Sequence, residues 1–328
     1  IMNEFKSLYN GERLEYVKLQ YKDYSEWFRK RDISEQKVYW TNVFGDDVPV
    51  LNLPIDHLRP KVTSYQGKDV TKSIDYSLKE KILALCKETE ATEFMVLLSA
   101  YMILLGKYSH QDDIVVGTPI SGRIHQDTEK LLGMFVNTLA LRGKLKANLT
   151  VLQFIDSIKE FCLKSFDNQE YPFEELVEAL DIKRDAGRNP LFDVMFLMQD
   201  GDKEKIKSDE VEFKIIDVER TVAKFDMTLG ITGNYDGYFM KLEYNTDLLN
   251  ADTVERMLNH YVNILEELVE NPKIMIREIQ VISKEEQELI LNKFNDTDAA
   301  LVDVNSVMEL FERQVEKNPD NVALAYNN

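Results

Sequence analysis

Apolar residues recur at helical spacing in three stretches: Leu78, Ile82, Leu85 and Cys86; Val151, Phe154, Ile155, Ile158, Phe161 and Cys162; and Val254, Met257, Leu258, Tyr261, Leu265 and Leu268. Side chains three and four apart share one face of a helix, so each stretch predicts an amphipathic helix. Asn250 stands where the last of them needs an N-cap, and Pro272 follows Asn271 where it should stop. Residues 94–105 are apolar all round apart from Ser99. A run of about a dozen is well short of the ~20 that span a bilayer, which predicts a core helix. Phe5, Leu8 and Tyr9 already keep helical spacing, so the chain is expected to begin inside an element.

Between the helices lie segments rich in β-branched and aromatic residues, at 113–118, 136–145, 192–199 and 211–218, which predict strands. Residues 226–232 and 238–246 alternate Met227, Leu229, Ile231 against Met240, Leu242, Tyr244, with Gly233-Asn-Tyr-Asp-Gly237 as turn chemistry between them. That pattern predicts a hairpin. Residues 200–210, almost all charged or small, predict a solvated loop. After Pro272 a short acidic helix and a polar connector run to Val302. Val307, Leu310, Phe311 and Val315 then open a fresh amphipathic helix, followed by Asn318-Pro-Asp-Asn321 and a strand start reaching Tyr326. A new domain is expected to begin near Asn305.

At 328 residues, with 44% hydrophobic and 30% charged, the chain can bury one large core or two medium ones and reads as soluble and globular. A formal charge of −18 opposes nucleic-acid binding, which depends on clustered Lys and Arg. Cys86 and Cys162 fall on apolar helix stripes, where a free thiol behaves as a small buried hydrophobe, and a reducing cytoplasm fits them. The start, Ile1-Met-Asn-Glu-Phe-Lys, has neither the basic and apolar regions nor the cleavage site of a signal peptide.

Residue chemistry alone finds no active centre. His57, His110, His125 and His260 are isolated, without the i+3 or i+4 partner that puts two imidazoles on one helix face for a metal. Gly117-Thr-Pro-Ile-Ser-Gly122 has Pro119 where the first Gly of a nucleophile elbow belongs, which makes Ser121 a poor nucleophile. The sequence contains neither a P-loop nor a dinucleotide fingerprint.

Four blocks mixing aromatics, Gly or Pro with a fixed polar residue carry more information: Tyr21-Lys-Asp-Tyr-Ser-Glu-Trp27, Gly133-Met-Phe-Val-Asn-Thr-Leu-Ala-Leu-Arg142, Asn168-Gln-Glu-Tyr-Pro-Phe-Glu174 and Arg184-Asp-Ala-Gly-Arg-Asn-Pro-Leu-Phe192. In order and spacing they resemble the later signature motifs of condensation domains in nonribosomal peptide synthetases. Weaker similarity extends to Leu53-Pro-Ile-Asp-His-Leu-Arg-Pro60, Lys224-Phe-Asp-Met-Thr-Leu229 and Glu243-Tyr-Asn-Thr-Asp-Leu248. The family's HHxxxDG motif is not in the chain. In the family it precedes a helix ending in a Leu-Tyr-x-Gly pattern, here Leu8-Tyr-Asn-Gly11. The asparagine and proline blocks at 135–138 and 189–192 resemble condensation domains more than the epimerisation domains that share the fold.

The resemblance implies an α/β fold, an α+β two-layer sandwich like a chloramphenicol acetyltransferase lobe, with a mixed, largely antiparallel sheet flanked by helices. It implies four parts: the end of an N-terminal lobe and its bridge (1–60), the C-terminal lobe (61–271), an interdomain linker (272–304) and the start of an adenylation domain (305–328). The implied reaction joins a donor aminoacyl or peptidyl thioester to an acceptor amine, both on phosphopantetheine arms. The implied partners are carrier domains, the missing N-terminal lobe and the adenylation domain, with no nucleic acid and no membrane. No catalytic residue, metal or directly bound cofactor is expected in this chain. A non-catalytic platform and a stand-alone acyltransferase of the same fold are the rival readings.

Candidates for the substrate tunnel or lobe interface are Trp27, Asn137, Thr138, Arg142, Arg188 and Asn189. Trp27 either holds a loop near the tunnel or packs at the lobe junction. Strand alternation puts Val136 and Thr138 on one face and Phe135 and Asn137 on the other. Asn137 then either offers its amide to a thioester or amide carbonyl, or satisfies backbone groups. Arg188, before the turn-forming Asn189-Pro190, either locks two segments through a carboxylate or contacts substrate. Arg142, Arg123 and Arg184 share that ambiguity. Tyr171-Pro172-Phe173 is expected to start a helix at Glu174.

Overall fold

The structure is a computed structural model that describes residues 2–14, 16–45, 47–183, 185–201, 221–298 and 306–326. Its strands are β1 (Gly67–Asp75), β2 (Asp113–Ile120), β3 (Asn137–Lys144), β4 (Val194–Asp200), β5 (Met227–Asn234) and β6 (Gly237–Asn245). They form one mixed sheet in the order β1-β6-β5-β4-β2-β3. The pairs β1/β6, β6/β5 and β2/β3 are antiparallel, whereas β5/β4 and β4/β2 are parallel. The hairpin forms in the register its alternation demands: Met227 faces Tyr244, Leu229 faces Leu242 and Ile231 faces Met240. All six are buried, while Thr228, Gly230 and Thr232 between them are half-buried, as expected for a sheet covered on one face.

The helices are α1 (Met2–Tyr9), α2 (Tyr21–Arg29), α3 (Ser34–Phe44), α4 (Tyr76–Thr89), α5 (Glu93–Ser109), α6 (Val151–Asp167), α7 (Phe173–Ala179), α8 (Ala251–Glu270), α9 (Lys284–Glu288) and α10 (Val307–Lys317). Helix α5 is buried all round from Met95 to Gly106, packed between α4, α6, α8 and strands β2 and β4. Its N-cap, Thr92, accepts the Met95 N–H, and Thr150 with Gln153 closes a capping box on α6. Among the described residues, no single helix is long and apolar enough to cross a membrane.

Several expectations need amendment. Strand β1 carries too few apolar residues to announce itself, because an edge strand with one half-open face is largely polar. Asn250 does hold the N-cap position of α8, but its side chain turns to His57, and Asp56 instead accepts from the Asn250 N–H and the Thr253 hydroxyl. Residues 272–282 belong to the packed body: the carbonyls of Pro272 and Ile274 accept from Leu152 and Val151, and Ile276 and Ile279 are buried. Residues 322–326 form no strand among the described residues. The strand expected at 211–218, Arg184 and nearly all of the loop at 200–210 lie outside the described residues.

The chain divides into two compact units, Ile1–Ile282 and Ser283–Asn328. The first holds the sheet. In the second, Ser283 and Glu286 cap α9, a π-helical turn follows over Leu289–Lys293, and Ser306 caps α10.

Cys86 and Cys162 are free and buried. Burial, helped by the Glu93 charge, pushes the Cys86 thiol up to about 11, and burial alone takes Cys162 to about 12. Both thiols keep their protons more tightly when folded. Their contribution is therefore complete below the unfolded value of about 8.5 and is lost as pH rises through 11 to 12. At pH 8, a disulfide reagent is expected to label both cysteines only as the chain unfolds. Prompt labelling of the folded protein would contradict this burial.

Candidate functional site

Helix α2 carries the first block, and its aromatics close one side of a cleft of about 340 Å³. The Tyr21 hydroxyl donates to the Met134 carbonyl at 2.7 Å, and its ring meets Phe135 edge-on at 5.1 Å. Tyr24 lies 4.7 Å from the same Phe135 ring. Gly133 is what lets the helix settle there, since a Cβ at that position would sit 2.1 Å from the Tyr21 ring. Gly122, at φ +63, likewise turns its backbone against the Phe135 carbonyl, where no side chain fits. The second and third blocks supply much of the remaining lining, through Phe135, Asn137, Gln169 and Glu170, with Gly122 and Ile124 also in the wall.

Asn137, at the start of β3, spends its amide on the chain itself. Nδ2 donates to the carbonyls of Gln169 and Tyr171, both at 2.9 Å, and Oδ1 accepts from the N–H of Phe173 at 3.2 Å and of Thr138 at 2.8 Å. These bonds tie the turn before α7 to the strand end, and Pro172 takes the N-cap of that helix. Phe135 is buried, Val136 is exposed and Thr138, opposite Pro119, is half-buried.

Trp27 lies on the outer side of α2, 41% exposed. It meets His125 edge-on at 5.7 Å, and the Arg31 guanidinium lies 4.8 Å from its ring centre. Arg31 forms an ion pair with Glu170, whose other oxygen accepts from Gln36 Nε2 at 3.0 Å. Arg123 stacks 4.2 Å from the Phe135 ring centre while donating to the carbonyls of Thr128 and Leu131.

The fourth block assembles a separate, buried charge cluster. Arg188 donates to the Leu51 carbonyl and pairs with Asp193, which also accepts the Asn189 N–H, while Asn189 Nδ2 reaches the Lys224 carbonyl. Arg59 grips Asp226 with two nitrogens and the Gly187 carbonyl with one of them. The Asp226 N–H donates to the Asp193 carbonyl, joining the two pairs. Burial and the Asp226 charge push the Asp193 carboxyl above its usual range, against the pull of Arg188 and Arg59. Between Pro190 and Phe192, a γ-turn at 2.9 Å puts Leu191 at φ +68. That strained conformation aims the Phe192 ring into the space left by Gly117.

Of the sequence candidates only Asn137 thus lines the cleft. Trp27 lies on the outer side of α2, Thr138 follows Asn137 in β3 without reaching the lining, and Arg188 and Asn189 enter the charge cluster. Arg142 stands apart: it binds Asp113 through Nε and Nη2 at 2.8 and 2.6 Å and donates to the Val43 carbonyl. Residue patterns missed Arg31, Glu170, Arg59, Asp193 and Asp226 as partners, although Glu170 lies inside the third block and Arg59 and Asp226 lie in the segments of weaker similarity. None of the four histidines lines the cleft. His57 bonds Asn250, His260 bonds the Tyr108 hydroxyl at 2.6 Å, His110 ends α5, and His125 lies against Trp27.

A family model described as Condensation domain matches residues 1–291. Gramicidin S synthase 2 of Brevibacillus brevis is 43% identical over 99% of this chain and 7% of its own length. Bacitracin synthase 1 of Bacillus licheniformis is 40% identical over 99% of this chain and 6% of its own. The chain therefore spans only a small part of the curated relatives it matches. Among solved structures, holo-AB3403, a four-domain nonribosomal peptide synthetase bound to AMP and glycine, superposes with a TM-score of 0.73 at 26% identity, over 89% of this chain and 23% of that one. The X-domain from teicoplanin biosynthesis, at 22% identity and a TM-score of 0.74 over 85% of this chain and 66% of that one, shares the fold.

Proposed function

The chain belongs to the condensation-domain family, and from that premise we propose that it is the C-terminal lobe of a condensation domain in a nonribosomal peptide synthetase. Residues 1–60 are the end of the N-terminal lobe and the bridge, and the lobe itself runs from 61 into the packed segment ending at Ile282. A linker follows, and an adenylation domain opens near residue 305. The observation that carries this reading is the meeting of three widely separated sequence blocks around one cleft, with the fourth locked into the charge cluster beside the bridge.

In the parent enzyme, the nitrogen of an acceptor amine attacks the carbonyl carbon of a donor thioester. The amide bond forms, the carbon–sulfur bond breaks, and the donor's phosphopantetheine leaves as a thiol. Both arms are presented by carrier domains, so phosphopantetheine reaches this lobe as a partner's group. Holding two tethered reactants in attack geometry can offset about 7–11 kcal/mol of barrier, and the lobe's contribution is of that kind. Tyr21, Tyr24 and Phe135 provide one aromatic wall, and Asn137 fixes the opposite turn. Proton handling falls to the histidines of the HHxxxDG motif, which this sequence does not contain. The cytoplasm, where reduced thiols such as Cys86 and Cys162 persist, is the proposed compartment.

Mass spectrometry of carrier-loaded aminoacyl groups tests the reading. The 328-residue chain is expected to yield no dipeptide, and the same chain extended by the preceding coding region of its gene is expected to yield one. Dipeptide formation by the chain alone would overturn the assignment, as would an extended enzyme that stays silent with both carriers loaded.

A further inference from the structure

We propose that the Arg31–Glu170 ion pair is a latch that positions α2 as the movable wall of the cleft. The purpose of the cleft comes from the condensation reading, whereas the latch is inferred from geometry alone. Helix α2 has no buried residue, so core packing does not anchor it. At its start it is held by the Tyr21 hydroxyl on the Met134 carbonyl and by the Tyr21 and Tyr24 rings on Phe135. Its own ion pairs, Glu26 with Arg29 and Lys30, stay within the segment and fasten it to nothing else.

Just past the end of the helix, Arg31 reaches Glu170, which lines the cleft from the opposite side. The Glu170 side chain is 12% exposed and that of Arg31 is 30% exposed. A pair so far withdrawn from water is screened less than one on the open surface. Gln36, in α3, shares the same carboxylate, so Glu170 secures the whole elbow between α2 and α3. The turn that carries Glu170 is fixed in its own right by Asn137. One charge pair therefore bridges a wall without core anchorage and a turn that is doubly tied. With the pair broken, α2 keeps the Tyr21 hydrogen bond and its ring contacts, Tyr21 and Tyr24 on Phe135 and Trp27 on His125. It then has no charge pair to the rest of the fold among the described residues, and the cleft widens on the Phe28 side.

Arg31 also covers Trp27, which makes the latch visible by fluorescence. The chain has two tryptophans, and the other, Trp40, is 1% exposed and donates to the Asn168 carbonyl. Glu170→Gln removes the charge while leaving the Arg31 and Trp27 residues themselves unaltered, and it keeps an acceptor for Gln36. Acrylamide quenching of the exposed tryptophan is expected to rise about twofold in E170Q as Trp27 goes from 41% exposed towards full exposure. Amide hydrogen exchange across residues 21–29 is expected to quicken with it. The exchanged double variant R31E/E170R is expected to restore slow exchange. Unchanged quenching and exchange in E170Q would overturn the proposal, and so would a double variant that exchanges as fast as E170Q. Should E170Q fail to fold, R31Q carries the exchange measurement from the more exposed partner: fast exchange confined to α2 supports the latch, and wild-type exchange refutes it. No carrier or substrate enters these measurements, so their failure would leave the condensation reading standing, and a failure of dipeptide formation would leave the latch standing.

Discussion

Replacing Asp226 with alanine is expected to destabilise the Ile1–Ile282 unit by about 3–5 kcal/mol, the usual consequence of leaving one member of a buried ion pair without its partner. Asp226 is 8% exposed and takes two nitrogens of Arg59, whose side chain is itself 18% exposed. Alanine would strand the guanidinium against Gly187 and leave Asp193 as the remaining carboxylate of the cluster. It would also loosen the bridge segment at 51–60, which the cluster grips through the Leu51 carbonyl and Arg59. Urea unfolding followed by circular dichroism measures the effect. The apolar double variant R59M/D226L is expected to be more stable than D226A, because it removes both charges together and leaves neither unpaired. If the double variant were the less stable of the two, the stranded guanidinium would not be what weakens D226A.

Asn137→Ala is the second large effect. It leaves the carbonyls of Gln169 and Tyr171 and the N–H of Phe173 without the partner they now have. An unmade bond costs about 1–3 kcal/mol where the group stays buried, so a total loss of roughly 2–4 kcal/mol is expected. The turn carrying Glu170 would drift from the strand end, and the cleft would lose its fixed side. In the extended synthetase this is expected to slow dipeptide formation by roughly 100-fold, the order of effect of a small misplacement of a positioning group. Wild-type turnover by a folded Asn137→Ala enzyme would favour the reading of this lobe as a non-catalytic platform.

Local periodicity made the helices α4, α6 and α8 and the β5/β6 hairpin legible, because each buries a face whose spacing is written within neighbouring residues, and α5 was legible from an apolar run of about a dozen. Strand β1 escaped since its partner β6, and not its own alternation, defines it. The blocks showed which residues share a purpose but not which atoms meet. Asn137 finds its partners 32 to 36 positions away, and Arg59 finds Asp226 across 167. Such contacts leave no periodic trace. Arg31 was hidden in a charged stretch that reads as a solvated face, Lys30-Arg-Asp32. The γ-turn at Leu191 was equally unreadable, as the proline announces a turn but not the strained residue after it.

The pairing of β1 with β6 sets a schedule for synthesis. Gly67 leaves the ribosome long before its register partner Asn245 exists. At elongation rates of about 5–20 residues per second the wait is roughly ten to thirty-five seconds. During that interval the nascent segment must stay soluble on its own, and the lysines, aspartates and hydroxyls of β1 suit it to that. The last strand to be made thus completes the sheet on both of its flanks, against β5 and against β1, so the lobe can close only near the end of its own translation.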